Sequence, residues 1–140
     1  MSNELKTDLK SKILEEMVVN HSNALEKNFE LAKNFVRITS EGKVDVLHKD
    51  QLGGKEQVLL YLIGKLYAKE VELADSECVG NNELREELGV IDASLRGWLK
   101  KLRDTDKIKP NTQSKYKCHY IPSNLVERTL KSIEKKLNID

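Results

Sequence analysis

The 140-residue chain has no apolar run that approaches the ~20 residues a membrane-spanning helix needs. Its opening stretch, MSNELKTDLK, also lacks the apolar core of a signal peptide. Cysteine is scarce, because Cys78 and Cys118 are the only two and their separation fits no motif. We therefore expect a cytoplasmic protein with two reduced thiols, a disulfide between them being the less favoured alternative.

The patterns that carry catalysis or metal binding are missing as well. His21, His48 and His119 are far apart, and the adjacent Cys118 and His119 would point to opposite faces of a strand. The stretch LGGKEQ lacks the spacing and the hydroxyl residue of a phosphate-binding loop. The carboxylates are scattered over predicted helix surfaces and form no acid–base pair. The sequence therefore predicts no enzymatic activity, no metal site and no cofactor.

What the chain does have is charge, and its distribution is uneven. Charged residues make up 34% and hydrophobic residues 39% of the sequence, which is typical of a folded domain with a heavily charged surface. The formal net charge is only +1, yet residues 93–120 contain eight lysines and arginines against two aspartates. A basic cluster of this kind indicates an anionic partner.

Apolar spacing predicts two amphipathic helices and then a β-hairpin in the first part of the chain. Apolar residues recur at steps of three and four over 5–18 and again over 25–36. Asn20 or Ser22 is available to cap the second helix. The period changes to two in VRIT and VDVL, with Gly42 in the turn between them. The glycine-containing stretch near 48–55 predicts a linker, which divides the chain into residues 1–50 and 51–140.

The second part combines helices with one further hairpin. EQVLLYLIGKLYAKEV predicts a central core helix, ELADSECVGNN a loop, and NELREELG a short helix that ends at Gly89. A helix over 92–105 follows, then two strands in KIK and YKCHYI, and then a last helix from Pro122 and Ser123. The apolar stripe of this last helix either packs within the chain or forms a dimer seam.

The order helix, short helix, turn, helix and hairpin resembles that of the winged helix-turn-helix family over about residues 56–122. Within NELREELGVIDASLRGWLKKLRDTDKIK, the apolar residues that match the family's core positions are Leu84, Leu88, Val90, Leu95, Leu99, Leu102 and Ile108. The chain departs from the family at Ile91, where a Ser or Thr cap is usual and Asp92 is the substitute. It departs again at Asp106, where glycine is common, and at Lys107, where leucine is common. The whole layout is similar to that of small archaeal proteins with this C-terminal domain.

This resemblance implies a fold that is mainly α with small β-hairpins, in which an N-terminal helical hairpin precedes a winged helix-turn-helix domain. In the family's docking mode, helix 92–105 enters the major groove and the wing, residues 109–120, reaches a neighbouring phosphate or groove. The predicted DNA contacts are Asn81, Asn82, Ala93, Ser94, Arg96, Gly97, Lys100, Lys101, Arg103, Lys115, Tyr116 and Lys117. Arg96 is the candidate for reading guanine. Gly97 either lets a partner approach closely or marks a position that tolerates glycine.

The predicted function is therefore double-stranded DNA binding by a transcriptional regulator. The last helix, the N-terminal helical hairpin or both would join two copies into a homodimer that addresses two half-sites. The alternative is a winged-helix adaptor that binds a protein and not DNA. In that case exposed apolar residues such as Trp98 or Tyr116 would matter more than the lysines.

Overall fold

The computed structural model of the protein describes residues 2–17, 23–111 and 117–137, which are mainly helical with two small antiparallel sheets. This confirms the predicted class, mainly α with small β-hairpins. The helices in these ranges are α1 Ser2–Glu16, α2 Ala24–Lys27, α3 Phe29–Ala32, α4 Gly54–Glu70, α5 Asn81–Leu88, α6 Asp92–Asp104 and α7 Val126–Leu137. The strands are β1 Val36–Ile38, β2 Val44–Val46, β3 Val79–Gly80, β4 Lys109–Asn111 and β5 Cys118–Tyr120.

The N-terminal region differs from the predicted helical hairpin at its second helix. The spacing predicts one helix over 25–36, but the chain forms two helices of four residues, α2 and α3, which meet at Asn28. Asn28 is buried, and its side-chain amide donates to the carbonyl of Ala24 at 2.8 Å. Local side-chain bonds of this kind compete with a continuous helix. The predicted caps Asn20 and Ser22 lie outside the described residues.

The predicted first β-hairpin is confirmed, and it packs directly on α4. Val36 pairs with Val46, and Gly42 takes a φ of +83° in the turn. Gly64 on α4 allows the hairpin to pack closely, because a Cβ there would lie 2.4 Å from a methyl group of Val44. The two parts of the chain therefore share one hydrophobic core. Their division at residue 50 stays a prediction.

The second sheet has three strands, and the sequence indicates only two of them. The stretch 72–82, predicted as a loop, contains β3, which pairs with β5 to give the order β3–β5–β4. A strand of two residues is too short to show an alternating pattern. Strand β4 begins at Lys109 and not at Lys107 as predicted. Its Pro110 lies on an edge strand, where a missing N–H breaks no central sheet bond.

Cys78 and Cys118 form a disulfide with their Cα atoms 5.4 Å apart, so the prediction of reduced thiols is wrong. Gly80 of β3 pairs with Cys118 of β5, which brings the segment around Cys78 next to β5. Because the sequence does not reveal β3, it does not reveal this proximity either. The bond closes a span of 40 residues that contains α5, α6 and β4.

Helix α4 forms the centre of the core, and α6 and α7 both bury their apolar stripes in that core. On α7 the buried residues are Val126, Leu130 and Ile133, and Leu137 packs against them from the end of the helix. This helix is preceded by a short 3₁₀ turn, Ser123–Leu125, so the α-helix begins later than predicted. The apolar stripe of α7 packs within the chain, which is the first of the two predicted alternatives, and does not form a free dimer seam. No helix in the described ranges is both long and apolar enough to cross a membrane.

Candidate nucleic-acid interface

Helix α6 presents the candidate residues by burying its opposite side. Leu95, Leu99 and Leu102 are buried in the core. The indole ring of Trp98 lies directly on Gly54, where a Cβ would come within 2.2 Å of the ring. The residues left exposed along α6 are Ala93, Arg96, Gly97, Lys100 and Lys101, while Ser94 is half-buried. The helical period therefore separates an apolar side from a basic side, as predicted for this segment.

The ends of α6 differ from the prediction at Asp92. The N-cap is Ile91, at φ −81° and ψ 152°, and Asp92 is the first helical residue. Asp92 therefore does not cap the helix, and its carboxylate interacts favourably with the helix dipole in the first turn. After the other end, Asp106 has a φ of +58°. This is the left-handed region that glycine enters at least cost, in keeping with the glycine that is common here in the resembled family.

A chain of polar contacts joins the start of α5 to the exposed side of α6. Asn82 Oδ1 accepts a hydrogen bond from Arg85 Nη2 at 2.8 Å. Arg85 Nη1 lies 3.6 Å from Asp92 Oδ1, and Arg96 Nε lies 2.9 Å from Asp92 Oδ2. Arg85 and Asp92 thus connect two predicted contacts, Asn82 and Arg96, although neither was itself predicted to contact DNA. The spacing of four between Asp92 and Arg96 is the sequence signal that identifies their ion pair.

Asn81 is placed differently from its neighbour. Helix α5 has Gly80 as its N-cap, without a side-chain cap bond, and Asn81 is the first helical residue. Its Oδ1 atom is buried and has no hydrogen-bond partner among the described residues. Asn82, in contrast, is exposed. Of the two predicted phosphate contacts at this helix start, Asn82 is exposed and Asn81 is half-buried.

Arg103 is half-buried and does not join the exposed basic side of α6. Its Nη1 lies 2.9 Å from Nε2 of His119 on β5. Burial and the nearby guanidinium lower the pKa of His119 to about 4, so the ring is neutral at pH 7 and accepts this bond at Nε2. The pair holds the end of α6 against β5, beside the disulfide at Cys118. Arg103 thus positions two elements in the free chain, and its predicted phosphate contact stays a prediction.

The β4–β5 hairpin adds further cations beside α6. Lys107 and Lys109 are exposed before and within β4, and Lys117 is exposed just before β5. The other two predicted contacts of this hairpin, Lys115 and Tyr116, lie outside the described residues.

Most of this basic surface is not neutralised by the chain itself. Among the described residues, the ion pairs include Arg96 but none of the exposed lysines of α6 and the hairpin. The exposed acids close by are Asp104 and Asp106. The surface therefore carries a net positive charge that an anionic partner would neutralise.

A polar network joins α5 to α4 and to the turn of the first hairpin. Tyr61 donates to Glu83 Oε2 at 2.5 Å, and Lys65 Nζ lies 2.8 Å from the same oxygen. Lys65 also donates to the carbonyl of Gly42 at 2.7 Å. Burial alone would raise the pKa of Glu83, but the hydrogen bonds from Lys65 and Tyr61 lower it. Sequence reasoning missed this network because its members come from three separate segments.

No family model matches the chain, and neither a curated protein nor a solved structure is significantly similar to it. The functional argument therefore depends on the fold and surface of the chain itself.

Proposed function

We propose that the chain is a winged helix-turn-helix protein that binds double-stranded DNA and regulates transcription. The order α4, α5, α6, β4, β5 supports this proposal, and so does the strand β3 that completes the sheet β3–β5–β4. In such a unit α6 is the helix that enters the major groove, and the β4–β5 hairpin is the wing.

The basic side of α6 is the observation that carries the proposal. Arg96, Lys100 and Lys101 are exposed there, and no acidic residue occurs between positions 93 and 103. A helix fits the major groove of B-DNA, whose phosphates line both edges. With the leucines of α6 in the core, the same helix offers its cations outward. The lysines would set affinity and salt dependence, because phosphate contacts carry no sequence information.

Arg96 is held by a weak ion pair that DNA can replace. Its ion pair with Asp92 is exposed, since 68% of the Arg96 side chain is accessible. Exposed pairs of this kind contribute about 0.2–1 kcal/mol. A guanine edge offers the guanidinium two acceptors in a geometry that matches it, which is worth about 1–3 kcal/mol of discrimination. Arg96 is therefore the residue we assign to base recognition.

Gly97 supports a close approach by the partner. A Cβ at this position would have no neighbour within 4 Å, so packing within the chain does not require glycine there. Glycine inside a helix costs about 0.5–1 kcal/mol relative to alanine. Glycine at this position leaves room for a DNA backbone or base edge to lie against α6, which would explain why the cost is tolerated.

The adaptor alternative is less well supported at Trp98. This residue is half-buried on Gly54, so its ring is only partly accessible to a partner. The observation that still favours an adaptor is Ile91, which is 69% exposed next to the basic side of α6. If the chain binds a protein there, Ile91→Ala weakens binding more than removal of the lysines does.

The test is binding to a random pool of double-stranded DNA, measured by fluorescence anisotropy at about 50 and 200 mM salt, a range over which phosphate contacts weaken strongly. We expect salt-sensitive binding that is lost in the Arg96→Ala/Lys100→Ala variant. The control, Lys131→Ala/Lys135→Ala on α7, removes the same charge and should bind as the unchanged chain does. An absence of binding at both salt concentrations, or equal losses in the two variants, would overturn the proposal.

We also propose a cytoplasmic location and a homodimer that addresses two half-sites. The disulfide counts against this location, because reducing compartments disfavour disulfides, except in hyperthermophiles. Alkylation of free thiols at the moment of cell lysis tests whether Cys78 and Cys118 are bonded in the cell. In a dimer, two α6 helices about 34 Å apart would meet successive major grooves.

A further inference from the structure

Helix α1 carries an apolar stripe that the described part of the chain does not cover. Leu9 and Leu14 are 59% and 56% exposed, Ile13 is 40% exposed, and Met17, just past the helix, is 77% exposed. Every described side chain of α1, at residues 8–14 and 16, is exposed. Most helices in proteins gain their stability from packing, so covering this stripe would stabilise the 15-residue helix.

An apolar groove is open between α3, β1 and α4. It has a volume of about 350 Å³, and its apolar lining is Phe29, Ala32, Val36, Ile38 and Tyr67. Phe29 is 50% exposed, although aromatic rings are among the side chains that gain most from burial. Lys33 and Arg37 complete the lining, and Lys33 Nζ lies 5.3 Å from the centre of the Phe29 ring. We call this site the Phe29 groove.

The charges of α1 are complementary to those around the groove. The last turn of α1 contains no basic residue and ends at Glu16, where a carboxylate opposes the helix dipole. Arg37, which forms no ion pair among the described residues, would neutralise that end, whereas Lys33 already pairs with Glu30 at 2.8 Å. A second depression shares Phe29 and Tyr67 with the groove and is lined by acids that include Glu26, Glu70 and Glu72. With Glu16 near the cations, the lysines earlier in α1 would lie toward these acids.

We infer that α1 of a second copy of this chain occupies the Phe29 groove, and that the exchange is reciprocal. Each chain has one exposed stripe and one open groove, so a two-fold dimer covers both. The basic side of α6 does not take part and stays available. The inference rests on the homodimer in the proposed function and is independent of whether the chain binds DNA.

The test uses one variant for each side of the contact. Ile13→Glu places a charge in the α1 stripe, and Phe29→Asp places one in the groove. Ser11→Glu and Asn34→Asp are the matched controls, because they add the same charges at exposed polar positions. Light scattering after size exclusion gives the solution mass, against a monomer mass of 16.0 kDa. Circular dichroism checks that each variant is folded.

We expect the unchanged chain and both controls to be dimers and each of the two variants to be a monomer. A mixture of the two variants should regain dimers, because one intact α1 and one intact groove then meet across two chains. The regained contact is one of two, so the mixture should dimerise at higher concentration than the unchanged chain.

Three results would overturn the inference. A monomeric unchanged chain would leave the groove without its proposed occupant. A dimer that survives Phe29→Asp but not Ile13→Glu would show that α1 pairs elsewhere. Monomers that do not recover on mixing, even at high concentration, would show that α1 and the groove do not meet across two chains. None of these measurements uses DNA, so a failed dimer test and a failed DNA-binding test are separate results.

Discussion

Helices α1 and α6 both carry apolar residues at helical spacing, but only α6 buries them. The leucines of α6 lie in the core against α4, whereas Leu9, Leu14 and Met17 of the α1 region are exposed. What packs against a helix therefore decides the role of its apolar residues. A covered stripe stabilises the chain, and an uncovered one is available for a partner.

Several connections hold α6 in place. The turn from Gly89 to Ile91 fixes its start next to α5, and the Arg103–His119 contact fixes its end against β5. The disulfide then ties β5 to the segment before β3. On α1, the described ion pair joins Asp8 and Lys12 at 3.6 Å and is internal to the helix.

The largest effect expected from this comparison is on stability when one leucine is shortened in each helix. Leu99→Ala in α6 removes buried methyl groups and should lower the free energy of unfolding by about 2–5 kcal/mol. Leu14→Ala in α1 should change that of the monomer by no more than about 0.5 kcal/mol. Urea unfolding in dilute solution measures both. Similar losses in the two variants would show that α1 is packed within the monomer.

Loss of the disulfide between Cys78 and Cys118 should have the next largest effect on stability. Cys78→Ala/Cys118→Ala frees a span of 40 residues, and we expect a loss of about 2–4 kcal/mol in the free energy of unfolding. The unchanged chain treated with a dithiol reductant should lose a similar amount. If reduction leaves the unfolding midpoint unchanged, the disulfide does not stabilise this region.

His119 makes the region around α6 sensitive to acid. Its folded pKa of about 4 lies below the ordinary value of 6.5, so the unfolded chain binds the proton first as the pH falls. Stability should therefore be complete above about pH 6.5 and decrease toward pH 4, by up to about 3 kcal/mol. Thermal unfolding across this range measures the loss. His119→Gln keeps an acceptor for Arg103 without titrating, and a loss equally steep in that variant would contradict the assignment.

The smallest expected effect is at Gly97, and here stability and binding should move in opposite directions. Gly97→Ala should raise the free energy of unfolding by about 0.5–1 kcal/mol, because the new methyl group meets open space and alanine favours the helix. The same change should weaken DNA binding if the partner lies against this position. Urea unfolding and anisotropy measure the two effects. Unchanged binding would leave Gly97 as a position that tolerates glycine.

Helices with a regular apolar period were predictable, and features made by distant segments were not. The stripe of α6 and the turns at Gly42 and Gly89 follow from local spacing and glycine placement. The break at Asn28 does not, because the apolar period of residues 25–36 continues across it. Within the candidate site, the exposed basic side of α6 was predictable from its period. The contact between Arg103 and His119 was not, because 16 residues separate them.

The two sides of α6, the first hairpin and the mainly helical class follow from the order of residues alone, since each depends on contacts between near neighbours in the chain. The fold was needed to show that Cys78 meets Cys118, that Arg103 faces His119, and that α7 is covered while α1 is not. A periodic pattern specifies which face of an element is apolar. Which surface covers that face depends on how all the elements pack together.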